Sequence, residues 1–420
     1  MPPTPAMHVA RADTGPRSPM TAADWVSPLI AGLHWLQWHA LQALAALGAI
    51  DAVAGQPGWP LDWRVSGEHL LIDAPNARRL AFGVLALMIA AGLAGMAVVC
   101  RRRRGWLLGA AAALPVFAPW PDPAVVLVPA HPTSFHRSPT GFSAHAIVAG
   151  HTLYETHCAA CHGATGRGDG PVATQQPVWP PDFIGPLLWR RGDGDLFWHI
   201  REGVTDRHGR ETMPGFGRML NDTEVWQLID FLRAQSAGQS LRLAGAWRHP
   251  IRLPASAIDC AGQSSSTDVR PWLGQRLRLV APAAGQPMPI EDPRLVTIAL
   301  VAPSHGAASA VGAERHAERH ADCRIDDASA WAALALVTGD APLADRQWLV
   351  DRAGWLRAVS APGSRGWSDD DLVCRSERSD RPEASAGARR DPRDGLDGLG
   401  RLLATIDADP VRLVRDGRVH

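Results

Sequence analysis

Apolar residues are spread unevenly along this chain of 420 residues. Three charge-free runs fall in its first third: Ser27–Ile50, Leu80–Cys100 and Trp106–Trp120. As helices rising 1.5 Å per residue, the first two are long enough to cross a hydrocarbon core of about 30 Å. The third, with Pro115 and Pro119 near its end, reaches about 22 Å and is short for a span. After residue 144 the pattern changes to short amphipathic helices separated by glycine and proline. From Leu241 onward, aliphatic runs alternate with Gly/Pro/Asp turns, a pattern that predicts strands at Leu277–Val280 and Leu295–Val301 and a helix at Ala328–Val337. Gln347–Asp351 and Gly354–Val359 read as a hairpin around Arg352 and Ala353.

The stretch Cys158-Ala159-Ala160-Cys161-His162 carries the clearest chemistry. Two thiols on one helical turn can each add across a haem vinyl group, and the next imidazole can then reach the iron, which is the attachment pattern of a c-type haem. Zinc would need further ligands, and the sequence has no second Cys-x-x-Cys. A sixth ligand is sought downstream. Met213, in Thr212-Met213-Pro214-Gly215-Phe216, sits on a polar loop where a thioether has little packing role, and a methionine opposite histidine raises the potential. Met219 is a rival, and His199 or His208 would give a bis-histidine iron. The glycines from Gly163 to Gly170 suit backbone that must curl tightly, and Arg167 among them could meet a haem propionate or remain solvated. Asn221 and Glu224 form a capping box for a last helix, which should cross the first one near Gly150 and Tyr154.

Residues 147–235 resemble a class I c-type cytochrome in their first helix, CAACH, GRGDGP loop, TMPGFG and closing DTEVWQLIDFLR. The resemblance implies a small all-α fold around one covalent haem c, with His162 and Met213 as axial ligands, carrying single electrons. Membrane helices followed by HPTSFHRSPTGFS and such a domain also resemble bacterial fusions of a copper-resistance D type membrane domain with a cytochrome c. The pieces PWLGQRLRLV and WLVDRAGWLRA resemble the thioredoxin-like redoxin family, but the place of that family's reactive cysteines reads APAAGQPMP here. An inactive thioredoxin-like domain is therefore expected.

Topology follows from the haem. Arg101 to Arg104 mark the end of the second run as cytoplasmic. Haem is attached outside the cytoplasm, so residue 158 must lie across the membrane, and Trp106–Trp120 must cross. The anchor then has about three spans, 27–50, 80–100 and 106–120, behind a flexible cytoplasmic arm at 1–24 that lacks the features of a signal peptide. His34, Gln37, His39 and Gln42 make the first span costly; an amphipathic helix on the membrane surface is the alternative. His34 and His39 could bind haem b or copper, or face neighbouring helices.

The expected organisation is thus multidomain: an α-helical membrane anchor (25–121), an extended proline-rich linker (122–143), an all-α cytochrome c domain (144–238), an α/β thioredoxin-like domain (245–376), and a disordered connector with a terminal helix (377–420). Net charge is zero, with 42 basic and 42 acidic side chains, and gives no reason to expect nucleic acid. Cys260, Cys323 and Cys374 allow one disulfide among them, with the pairing open. His316, His320 and Cys323 share a helix face and could hold copper or zinc, or be solvated. The reading is an electron carrier in the bacterial inner membrane with periplasmic domains, not an enzyme in its own right. Its partners would be the lipid bilayer and membrane or periplasmic redox proteins. Two alternatives are a copper-homeostasis or haem-sensing protein and a cytochrome subunit of a larger dehydrogenase or oxidase.

Overall fold

A computed structural model describes residues 22–65, 74–189, 191–260, 272–283, 286, 288–303, 321–364, 366–374, 397–414 and 417–419. The chain divides into two units, residues 1–34 with 69–126 and residues 35–68 with 127–420. Residues 1–21 of the arm expected at 1–24, the two histidines 316 and 320, and most of the connector after 377 lie outside the described residues, while residues 22–24 open a helix.

Helix α1 is Ala22–Ala46, followed by the short pair β1 (Ala52–Val53) and β2 (Gln56–Pro57) and by β3 (Trp63–Val65). In the first unit, α2 (Ala74–Val99) and α3 (Arg104–Phe117) pack on each other, joined by a 3-10 turn over Arg101–Arg103. Gly83 lets Trp120 fold onto α2, since a Cβ there would lie 2.6 Å from the indole. The Trp120 Nε1 donates to the Pro115 carbonyl at 2.7 Å, one of the last-turn acceptors of α3 that have no intrahelical donor. Among the described residues one helix segment, Arg78–Val99, is long and apolar enough to cross a membrane. The three-span expectation therefore rests on sequence alone for its other two members: α1 has the length but carries polar side chains, and α3 has 14 residues.

The expected extended linker is a correction. Residues 122–143 do not hang free: α4 (Pro123–Val126) leads into β4 (Leu127–Pro129), which pairs with β3. Thr133, Ser134 and His136 are then buried. The cause is hydrogen bonding that proline content does not reveal. Thr133 Oγ1 donates to the Gly194 carbonyl at 2.7 Å, the Gln56 and Arg137 amide groups exchange bonds of 2.8 and 3.0 Å, and Trp59 N donates to Pro132 O at 2.8 Å.

Helix α5 (Ala144–His157) starts where the Ser143 side chain accepts from Ala146 N, and α6 (Ala159–His162) follows directly. After α7 (Pro186–Trp189), α8 (Asp193–Glu202) carries Asp193 and Asp195 in its first turn, where the helix dipole favours them. The hairpin β5 (Val204–Thr205) and β6 (Glu211–Met213) leads to α9 (Asp222–Ala244). The Asn221/Glu224 capping box is formed, and α9 crosses α5 at the expected glycine: a Cβ on Gly150 would lie 2.1 Å from the Gln227 carbonyl.

Helix α9 runs past the expected boundary at 238 because its far half is buried too. Gly238 abuts the Leu336 carbonyl of α10 (Ala328–Val337), leaving only 1.8 Å for a Cβ. Beyond it lies a six-stranded sheet in the order β12-β11-β8-β9-β10-β7. Its strands are β7 (Asp259–Cys260), β8 (Leu277–Ala281), β9 (Val296–Leu300), β10 (Cys323–Ile325), β11 (Arg346–Val350) and β12 (Leu356–Val359). β8, β9 and β10 are parallel; the hairpin β11–β12 joins β8 antiparallel. Asp351 Oδ1 closes that hairpin by accepting from the backbone of Ala353 and Trp355. Cys260 pairs with Cys323 across β7 and β10 as a disulfide, and Cys374 is buried and outside that bridge. Fully buried Arg357 donates to the carbonyls of Cys374 and Asp409, which docks the end of α11 (Gly398–Ala408). One buried cluster extends from Ala144 and Ile147 through Phe231 and Leu334 to Trp348 and Cys374, so the helical region and the sheet share a core.

Candidate functional site

Helix α6 is one turn long, and its position is set by its surroundings. The Tyr154 hydroxyl of α5 donates to the Gly163 carbonyl at 2.7 Å, and burial pushes the tyrosine pKa up. Gly163, Gly166 and Gly168 all have positive φ, which allows the loop to double back. Its backbone then donates from Gly168 to the His162 carbonyl at 2.9 Å and from Val172 to Ala160 at 3.0 Å. Gln235 of α9 donates to Ala164 O at 2.7 Å, and Phe183, whose carbonyl accepts from Ser236 Oγ at 2.7 Å, stacks on His162 with centroids 4.5 Å apart.

Cys158, Cys161, His162 and Met213 line one cleft of about 290 Å³. It is walled mainly by apolar groups, including Phe183, Leu188, Leu196, Ile200, Phe216 and Leu232. The thiols are close enough that Cys161, after burial, helps push the Cys158 pKa up to about 12. His162 is buried and its pKa lowered by burial, opposed by the Pro181 carbonyl; its Nδ1 makes no hydrogen bond of ordinary geometry. The ring is therefore neutral at pH 7, the form that ligates a metal.

Met213 reaches the cleft from β6. Val204 lies opposite it in the hairpin, and the Thr212 hydroxyl donates to Val204 O at 3.0 Å. The turn after Met213 is held on the end of α8 by Phe216 N to Ile200 O and Gly217 N to Arg201 O, both 2.9 Å. Gly203 makes that approach feasible, because a Cβ there would meet Met213 O at 2.6 Å. The rival ligands are placed differently. Met219 is 59% exposed and His208 is exposed; neither lines the cleft. His199 does line it, but its ring nitrogens face Arg191 NH1 at 2.8 Å and the Asp195 carbonyl at 2.5 Å.

Two alternatives left open by the sequence are narrowed. Arg167 is exposed and does not line the cleft; Arg191, which the sequence pattern did not single out, does. Cys323 cannot offer a thiolate with His316 and His320 while it is bridged to Cys260, a pairing that the open cysteine count allowed without selecting. Among the described residues no group of three or more His, Cys, Asp or Glu side chains could hold a metal ion, and His39 packs on Trp35 with centroids 4.2 Å apart.

Residues 145–232 match the family described as cytochrome C oxidase, cbb3-type, subunit III. Among solved structures, the chain is similar to one in the Kuenenia stuttgartiensis reducing HAO-like protein complex Kustc0457/Kustc0458, at 26% identity and a TM-score of 0.21. That likeness covers 30% of this chain and 59% of the other. No curated protein matches.

The chain thus contains a c-type cytochrome domain, at residues 145–232. Such a domain implies haem c and electron transfer. The residues present suit that group: two thiols and a neutral imidazole converge on an apolar cleft, with a thioether on its wall.

Proposed function

We propose that this chain is a membrane-anchored, extracytoplasmic c-type cytochrome that relays single electrons through one haem. Cys158 and Cys161 would hold the haem as thioethers, with His162 and Met213 as its axial ligands. The observation that carries this reading is the convergence of those four side chains, separated by up to 55 positions in the sequence, on one apolar cleft. When bound, the haem supplies a one-electron iron couple. The protein's share is to bind and shield it. Phe183 and Leu188 exclude water, the Tyr154 and Gln235 bonds hold the attachment turn, and the β5–β6 hairpin presents the methionine sulfur.

The anchor would be α2, flanked by Arg101–Arg104 on the cytoplasmic side, with α1 and the 106–120 region as further crossings. A haem tethered to the bilayer meets membrane partners at raised effective concentration. The sheet supports reading residues 245–376 as an inactive thioredoxin-like domain: three parallel strands, β8, β9 and β10, carry an antiparallel hairpin on the β8 side, and no cysteine stands in the loop after β8. The matched family's description as an oxidase subunit favours a second reading, in which the same domain serves a larger redox assembly. Co-purification from detergent-solubilised membranes distinguishes a lone carrier from a subunit.

The test is covalent haem on the full chain. The purified protein should retain one haem after denaturation, and Cys158→Ala with Cys161→Ala should abolish it. Met213→Ala should keep the attached haem but lower its potential, since the thioether favours ferrous iron. A chain without covalent haem in a host competent for c-type maturation would sink the reading.

A further inference from the structure

One permanent charge stands on the wall of the cleft. Among the described residues that line it, Arg191 is the sole arginine and there is no Asp or Glu. The cation is held from two sides. Buried Arg233 donates to the Arg191 carbonyl at 2.8 Å and to the Leu188 carbonyl at 2.7 Å and forms an ion pair with Asp193 at 2.8 Å, so the backbone of the turn between α7 and α8 is clamped. The Arg191 guanidinium lies 2.8 Å from His199 Nε2.

A guanidinium can only donate, so Nε2 must accept. The ring proton then sits on Nδ1 and is donated to the Asp195 carbonyl. His199 is held at both ends as a neutral tautomer, and burial, with Arg191 adding to it, lowers its pKa accordingly. Both ring nitrogens of His199 are thus engaged, one of them by the guanidinium. Arg191 is exposed at the cleft mouth but lines it, so a carboxylate at the edge of a bound group could pair with its guanidinium there while the rest of the group lies against apolar walls. The haem edge carries such carboxylates, its propionates.

We propose that Arg191 pairs with a haem propionate and that His199 is the positioning residue that directs the guanidinium into the cleft. This deepens the haem reading and rests on it. It gives Arg191 the contact that was one of the two readings for Arg167. By offsetting the carboxylate's charge, Arg191 favours the reduced iron, so the pair tunes the potential as well as seating the group.

The experiment uses the full-length chain purified from membranes, in wild-type form and as Arg191→Gln, Arg191→Lys, His199→Phe and Arg167→Gln. Haem retention on denaturing gels is read separately from the midpoint potential. Arg191→Gln should keep its covalent haem, and its reduced-to-oxidised ratio at fixed ambient potential should fall about tenfold, ~59 mV for a one-electron couple. His199→Phe should shift the same way by less, Arg191→Lys should restore most of the loss, and Arg167→Gln should match wild type. A wild-type potential in Arg191→Gln, or a fall confined to Arg167→Gln, overturns the proposal. Should Arg191→Gln not accumulate, His199→Phe decides, and an unshifted potential there overturns it too. Failure of the wild-type chain to carry covalent haem is a separate result that removes the haem reading and this proposal with it.

Discussion

His136 shows what a single buried residue does to pH dependence. Its side chain is 5% exposed, neither ring nitrogen makes a hydrogen bond of ordinary geometry, and burial lowers its pKa, against the opposing pull of the Pro57 carbonyl and Asp222. The unfolded chain therefore binds a proton near pH 6.5 that the folded chain refuses. Stability from this residue is fully present above pH 6.5 and is lost as pH falls towards the folded-state value, at up to about 1.4 kcal/mol per pH unit. Denaturant unfolding of the full chain between pH 7 and 5 should show that slope, and His136→Leu should flatten it; an unchanged slope in the variant would rule His136 out as its source. The four proposed haem-binding side chains were legible in the sequence because their chemistry is unusual and, for three of them, local. Arg191 was not, since its meaning depends on His199 and the cleft wall.

At the scale of elements, the α5–α9 crossing was readable from Gly150 and the capping box, because helix periodicity and caps are local signals. Gly150→Ala should cost roughly 1–3 kcal/mol by overpacking against the Gln227 carbonyl, measurable as a lower denaturation midpoint with the haem still attached. A neutral result would mean that the two helices can part at little cost. The disulfide is the opposite case. Cys260 and Cys323 lie 63 residues apart and meet only because β7 and β10 pair. Cys260→Ser should lose about 2–4 kcal/mol of stability, and thiol counting on the unfolded, unreduced protein should rise by one at Cys323. No gain in free thiol would show that the bridge does not form in solution.

For the whole molecule, Cys100 is a usable reporter of topology. It is exposed and adjoins Arg101 at the end of α2, whereas Cys374 is buried with its thiol pushed up to about 12, chiefly by burial. With Cys158 and Cys161 on haem and Cys260 bridged to Cys323, Cys100 should be the one readily labelled thiol. An impermeant maleimide should leave it unlabelled in intact spheroplasts and label it after permeabilisation. Labelling before permeabilisation would place Arg101–Arg104 on the outer face and overturn the proposed topology. Within the second unit, the expected division at 238–245 does not appear as a break in packing. Gly238 and Leu336 join the helical region to the sheet, and the 127–140 strap is fastened to α8 and α9.

What the sequence determined by itself was chemistry written in neighbouring residues: the thiol pair and imidazole, the methionine on its loop, the capping box, the charge-free runs, and the strands and helix of the last third. Each depends on spacing along one helical turn, one strand or one loop, where chain connectivity sets the geometry. The tertiary structure decided the pairings between distant segments. Arg64 meets Asp195 at 2.8 Å across 131 positions, Ser134 shares that carboxylate, and Cys260 selects Cys323. Such contacts form because burying a charge or polar group requires a partner, and which partner arrives is settled by how the whole core packs. That is why a proline-rich stretch expected to be an extended linker became a strap with Thr133, Ser134 and His136 buried, and why Arg191 rather than Arg167 lines the cleft.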